Sequence, residues 1–300
     1  EIDTRDWSSD VCSSDLCDTT MQLWGIDVSK YNYPINWTKV KSAGVKFAIL
    51  RCGYAPTNNR TNLKKDPYFE QFYKDAKAVG MPVGVYFYSR CNSEATAKAE
   101  AKFIIDCLKG KKLEYPVWLD VEDTTTLRDT SKKTLTNAVK TCLDELEKAG
   151  YYVGIYSGTY ILRDDLNDDE LKDYDHWIAA YTRTNPYKGK YTMWQFGGET
   201  NYLRSKYING IGSDVADQNY CYVDYPSIIK KNGLNGYQKQ TADKYKVTAN
   251  ALNVRKGPGV EYDIITTLAQ NTIVNIVEIE NNWGKIIDSG WINLKYCEKL

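Results

Sequence analysis

The stretch PVWLDVED at residues 116–123 ends an apolar run with two carboxylates, Asp120 and Glu122, two positions apart. In a β-strand, residues i and i+2 point to the same side, so the pair must share a neighbourhood. Like charges in an apolar setting are costly unless they are paired or protonated. One chemistry repays that cost. A carboxyl kept protonated by its neighbour can donate a proton to a leaving oxygen, while the second acid steadies positive charge on a sugar carbon. Asp123 alternates to the other face and reads as structural.

The elements that must hold this pair follow from the hydrophobic pattern. Strand candidates are LWGIDVS (23–29), FAILRCGY (47–54), PVGVYFYS (82–89), PVWLDVED (116–123) and YVGIYSG (152–158). Helical segments fall near 36–43, 66–79, 93–108 and 131–149, the last opened by Ser131 and stopped at Gly150. Near-continuous apolar strands joined by helices predict a parallel sheet. HWIAAY (176–181) and YTMWQFGG (191–198) follow, separated by TRTNPYKGK, which cannot supply a helical crossover. A final run lies near 211–225. The expectation is an α/β fold, an irregular TIM-like β/α barrel of eight strands and about five helices. In such a barrel the reactive groups project from the C-terminal strand ends. The acids placed there are Asp27 on the first strand, Asp120 and Glu122 on the fourth, and Asp217 or Asp224 near the eighth. Tyr86, Tyr88, Tyr156, Tyr181, Trp194 and Gln195 occupy equivalent strand ends and are expected to line a groove for a polar, ring-shaped ligand.

Past Gly236 the pattern changes to short strands with Gly, Pro and Asn turns, which reads as a small all-β barrel. The expected organisation is residues 17–236 as the barrel, 237–243 as a linker and 244–300 as the second domain. Residues 6–16, DWSSDVCSSDL, have no apolar period and back-translate to a common sequencing-library adapter. Residues 1–16 are therefore read as an artefact and kept out of fold reasoning, and a signal peptide is not visible. Without them the chain holds 38 basic and 34 acidic residues, a net charge of +4. That balance suits approach to an anionic wall and is too small to argue for nucleic acid.

Taken in order, GIDVS and the NW after it, AILRCGY, GVYFYS, PVWLDVED, VGIYSG, WIAAY, WQF and DQN resemble the glycoside hydrolase family 25 lysozymes over about residues 23–235. The resemblance implies cleavage of the β-1,4 bond between N-acetylmuramic acid and N-acetylglucosamine in peptidoglycan. It implies Glu122 as general acid, Asp120 as its partner and Asp27 as the acid of the first strand motif. Asp217 of DQN fits the late acid better than Asp224, and the same stretch also holds Asp214. The resemblance implies retention of anomeric configuration, with the substrate's acetamido group as a candidate nucleophile oriented by Asp120, whereas the i,i+2 spacing alone fits either a retaining or an inverting carboxyl separation. ALNVRKGPG, NNWGKI and GWINLKY resemble bacterial SH3-like wall-binding modules, in which Trp283 or Trp291 would be core. The implied setting is extracellular or at the cell wall, the partner is peptidoglycan, and the chain is expected to be a monomer without metal or cofactor.

Other chemistries find less support. His176 is the only histidine, so a multi-histidine metal site cannot be built. A Cys52–His176 or Cys91–His176 pair is formally open to nucleophilic chemistry. The seven cysteines beyond residue 16 are scattered without CxxC pairs, and Cys107 and Cys142 read as buried helix thiols. No 18-residue apolar run suggests a membrane span. A chitinase-like hydrolase would need a fuller acid pattern, but Trp118 stands two before Asp120. A degenerate wall-binding protein would not need Asp27, Asp120 and Glu122 intact.

Overall fold

The computed structural model describes residues 21–57, 59–198, 206–212, 216–239, 242–287 and 289–300. Residues 1–16 and Asp214 lie outside that set. The chain divides into two compact units after Gln238.

In the first unit, eight strands close into a barrel: β1 (Leu23–Val28), β2 (Ala48–Tyr54), β4 (Val83–Tyr88), β5 (Val117–Asp120), β6 (Val153–Gly158), β7 (Asp175–Ala179), β8 (Met193–Gly197) and β9 (Asp217–Cys221). The pairing of β1 with β2 seals it, and the short β3 (Lys64–Lys65) hangs on β2. Period-2 alternation sorts the side chains into two layers. Val83 and Val85, Val117 and Leu119, and Val153 and Ile155 face outward and pack with the helices. Phe47, Ile49, Trp118, Trp177 and Met193 face inward and fill the barrel. Tyr225, from the helix Tyr225–Asn232, joins that inner cluster against Trp118 and Tyr115. Its hydroxyl donates to Asp175 at the start of β7, so this helix closes the floor opposite the strand C-termini.

Rings of this size fit only where their neighbours have no side chain. A Cβ on Gly154 would lie 2.3 Å from the Trp118 indole and 2.7 Å from the Asp175 carbonyl. A Cβ on Gly25 would lie 2.3 Å from the Phe47 ring. The alternation of glycine with large aromatics packs the interior solid below the mouth.

Two expectations need correction. The sheet is not wholly parallel, because β9 runs antiparallel to both β8 and β1. TRTNPYKGK does join parallel strands without a helix, and the reversal comes one strand later. Inward–outward alternation is the same for either strand direction, so the pattern could not reveal it. Seven α-helices accompany the barrel among the described residues, in place of about five. Thr124–Asp129, Thr159–Asp164 and Tyr225–Asn232 are too short to show a helical period. The helix Lys132–Lys148 is as expected. Ser131 accepts from the Thr134 N–H, Leu135, Val139, Cys142 and Leu146 are buried, and Gly150 turns the chain at φ +86°.

The second unit is one antiparallel sheet of seven short strands, β10 (Asp243–Val247) to β16 (Cys297–Lys299). Tyr245, Val247, Leu252, Val254, Val274, Ile276 and Ile292 form its core. Asn281 and Asn282, at φ 47° and 66°, make the left-handed turn between Ile273–Glu280 and Trp283–Ile286. Trp283 and Trp291 are both buried.

Gly154→Ala is expected to force Trp118 from its rotamer. Overpacking of this kind costs ~1–3 kcal/mol, or roughly 2–4 °C in Tm per kcal/mol for a domain of this size. An unchanged thermal unfolding curve would show that the interior has slack at this position.

Candidate active site

β1, β9 and the end of β5 deliver four carboxyls to one rim. Asp27 ends the inward face of β1, and Asp120 that of β5. Because β9 is antiparallel, its first residue, Asp217, stands at the rim where the parallel strands finish, in register with Asp27. A cavity of about 220 Å³ is lined by Asp27, Asp120, Glu122 and Asp217 together with Tyr86, Tyr88, Tyr156 and Gln195. A larger cavity of about 1090 Å³ beside Thr159–Asp164 holds none of these acids. Of its own acids, Asp168 is tied to His176 and Tyr187.

Asp27 is held by two side-chain amides. Its Oδ2 accepts from Gln195 Nε2 at 2.9 Å and from Asn219 Nδ2 at 2.8 Å. The orientation of both amides is forced. Tyr156 and Tyr181 hydroxyls donate to Gln195 Oε1 at 2.8 and 2.6 Å, and the Trp177 indole donates to Asn219 Oδ1 at 2.8 Å. With each amide oxygen occupied by donors, each NH₂ is left to face Asp27. Burial nonetheless pushes the Asp27 carboxyl up to about 6, against the lowering effect of the two amides.

Asp120 is buried more severely. Burial, then the neighbouring Glu122 and Asp27, hold its carboxyl well above the usual range, with Arg51 and Arg90 pulling the other way. Its Oδ1 is buried with no hydrogen-bond partner among the described residues. Glu122 is raised by burial and then by Asp27 and Asp123. Burial and mutual repulsion thus hold the Asp27, Asp120 and Glu122 carboxyls above the ordinary carboxylate range.

The other site residues expected from sequence divide cleanly. Tyr86, Tyr88, Tyr156 and Gln195 line the acid cavity. Tyr181 reaches it through its hydroxyl on Gln195 while lining the larger cavity. Trp194 does not belong to the groove. It is buried on the outer face of β8, packs on Phe196 and Tyr220, and donates its Nε1 to the Ala180 carbonyl. Gln195 points inward, so its neighbour must point out. Asp224 lies at the far end of β9 and caps Tyr225–Asn232 through the Ser227 N–H. Asp123 caps Thr124–Asp129 and pairs with Arg90 at 2.8 Å. The cavity also takes in Ser29, Tyr31, Asn32, Arg51 and Trp177, with Asn219 behind Asp27. None of these was expected, although strand parity alone places Arg51 on the same face as Ile49.

The cysteine–histidine alternative fails on placement. Both His176 ring nitrogens are occupied, by the Tyr174 carbonyl and by Asp168. Burial pushes the Cys52 and Cys91 thiols up, away from thiolate reactivity. The described cysteines Cys52, Cys91, Cys107, Cys142, Cys221 and Cys297 are unpaired.

Comparison with known proteins then bears on this geometry. The sequence profile of the glycosyl hydrolases family 25 matches residues 26–203, more than half of the chain. The chain belongs to that family. Three acids of this family 25 glycoside hydrolase, Asp27, Asp120 and Glu122, lie inside the matched segment, and Asp217 lies beyond it. A bacterial SH3 domain profile matches residues 250–297. The chain is 25% identical over 270 residues to the autolytic lysozyme of Clostridium acetobutylicum, covering 89% of this chain and 75% of that protein. It is 40% identical over 82 residues to lysozyme M1 of Streptomyces globisporus, covering 27% and 26%. Among solved structures, the modular autolysin LytC of Streptococcus pneumoniae aligns at 27% identity with a TM-score of 0.57, over 66% of this chain and 46% of LytC. The chain therefore spans less than half of LytC. The spore cortex lytic enzyme SleM of Clostridium perfringens shares the fold, with a TM-score of 0.59 at 20% identity over 93% of this chain and 97% of SleM.

Burial makes ionised Asp120 an opponent of folding. Its folded pKa is raised, so the stability tied to its neutral form is complete below the unfolded value near 3.8 and is lost as pH rises through the folded one. Asp120→Asn is therefore expected to raise Tm at neutral pH, by on the order of 1 kcal/mol or a few degrees. The gain should vanish below the unfolded pKa, where the wild-type carboxyl is neutral in both states. A pH-independent difference would mean that packing, not charge, dominates at this position.

Proposed function

We propose that this family 25 enzyme is a peptidoglycan muramidase, hydrolysing the β-1,4 bond between N-acetylmuramic acid and N-acetylglucosamine. The observation that carries the reading is the single cavity lined by Asp27, Asp120, Glu122 and Asp217 with tyrosines among them. The curated relatives, both named as lysozymes, support the substrate class. The SH3-like unit supports a wall-bound setting outside the cell, with its strands serving as a second contact to the wall.

The roles follow from the environments. Glu122 stands two residues past the end of β5, has no hydrogen-bond partner among the described residues, and is raised in pKa by burial and by Asp27. A carboxyl held protonated and uncommitted is suited to donate its proton to the glycosidic oxygen. Asp120 offers the buried, unpartnered Oδ1. An acetamido N–H of the substrate would satisfy that atom and turn the acetamido oxygen toward the anomeric carbon. Attack by that oxygen displaces the leaving sugar, which takes the Glu122 proton. Water, deprotonated by the Glu122 carboxylate, then opens the cyclic intermediate with net retention. Asp27 and Asp217 supply negative potential beneath the developing positive charge.

Glu122→Gln is expected to lower kcat by about 10²–10⁴, the usual worth of a positioned general acid. Product mass spectrometry on defined peptidoglycan should show fragments with muramic acid at the reducing end. Fragments ending only in N-acetylglucosamine would overturn the bond assignment, and near wild-type turnover would move the acid elsewhere.

A second outcome concerns pH. As proton donor, Glu122 works below its folded pKa and fails as pH rises through it. Asp27 is one of the charges that raise it, so Asp27→Asn should move the alkaline limb of the kcat/KM profile to lower pH. A limb that stays in place would separate Asp27 from the proton donor.

A further inference from the structure

A third cavity, of about 320 Å³, opens beside the acid cavity and shares Tyr31, Arg51 and Tyr88 with it. Its character is the opposite. Lys30, Arg51 and Arg90 supply positive charge, and Tyr31, Tyr54 and Tyr88 supply ring faces. Two of the cations are neutralised. Arg51 pairs with the buried Asp66 at 2.7 Å, and Arg90 pairs with Asp123 at 2.8 Å. Lys30 has no acidic partner among the described residues, and its Nζ lies 5.0 Å and 5.7 Å from the ring centroids of Tyr31 and Tyr54.

The arrangement is built rather than incidental. One Asp66 oxygen, Oδ2, accepts from both the Lys30 backbone N–H at 3.0 Å and Arg51 Nε at 2.8 Å. The other, Oδ1, accepts from the Tyr68 N–H at 3.0 Å. This buried carboxylate therefore fixes the main chain of Lys30 against the Arg51 guanidinium while leaving the Lys30 ammonium uncompensated. The result is one net positive charge on a preformed wall, next to a cavity that holds four carboxyls.

We propose that this cavity receives a carboxylate carried by the glycan strand, on a muramic acid residue beside the cleaved bond. The inference rests on the muramidase reading. Of the two alternating sugars, only muramic acid bears an acid, either the lactyl carboxyl itself or a carboxyl of the peptide attached to it. Such a strand brings negative charge toward a mouth lined with acids, where desolvated like charges repel. Lys30 offsets that repulsion at one position and so selects which sugar sits there. Its contribution is to binding and register, not to the bond-breaking step.

The test compares kcat/KM on three soluble glycans: one with free lactyl carboxyls, one bearing peptide stems, and one with its lactyl carboxyls converted to methyl amides. The wild-type enzyme should prefer at least one carboxylate-bearing glycan over the methyl amide by about tenfold, through KM, as expected of binding that is uniform between ground and transition states. Preference for the free lactyl glycan alone assigns the lactyl carboxyl, and preference for the stem-bearing glycan alone assigns the peptide. Lys30→Gln should collapse the preference, and Lys30→Arg should restore it. Equal cleavage of all three by the wild-type enzyme overturns the pocket but leaves the muramidase reading intact. A Lys30→Gln loss that is the same on all three overturns it as well, because Lys30 would then be acting on the acid cluster. Failure of the wild-type enzyme to cleave any of them removes the muramidase reading and this inference together.

Discussion

The carboxylate of Asp27 is buried at the rim of a closed barrel, and the order of the whole mouth follows from how it is held. It can be there only because Gln195 on β8 and Asn219 on β9 turn their amide NH₂ groups toward it. Those amides can face it only because Tyr156, Tyr181 and Trp177 occupy their oxygens. Donors from β6, β7 and the loop after β7 therefore converge, through two amides, on one acid of β1. A buried polar network of this kind stabilises the native state only when every member is satisfied. Asp120 Oδ1 departs from that rule, and it is the atom that the proposed chemistry gives to the substrate.

Below the network the barrel is filled to the floor. Trp118, Trp177, Phe47 and Tyr225 are buried, and glycines at 25 and 154 make room for two of these rings. A solid interior leaves no route for side chains to relax inward, so the acids at the top stay where the strands put them. The same packing keeps water from beneath them and raises their pKa values by burial. Close packing and unusual acidity are two consequences of one arrangement.

Much of this was legible in the residues. The i,i+2 spacing of Asp120 and Glu122 put both in one cavity, and parity assigned Asp123 to the opposite role. The helix caps at Ser131 and Gly150 could be read directly, because capping depends on residue type within one turn. Trp194 shows where reading by motif failed. WQF suggested two groove residues in succession, yet adjacent strand residues face opposite ways, and the indole is core. Asn219 and Trp177 stand in the motifs DQN and WIAAY but were given no site role, because their importance lies in a contact with Asp27 or with each other, across up to 192 positions of chain.

The sequence by itself determined the alternation of strands and helices, the faces on which the acids lie, and the change to an all-β pattern after Gly236. These depend on local periodicity and turn chemistry, which a few neighbouring residues specify. Only the tertiary structure decided the direction of β9, and with it whether Asp217 or Asp224 reaches the rim. It alone placed the uncompensated Lys30 beside the acids. Strand direction and charge pairing are set by which segments meet in space, and a hydrophobic pattern that reads the same in either direction carries no record of that meeting.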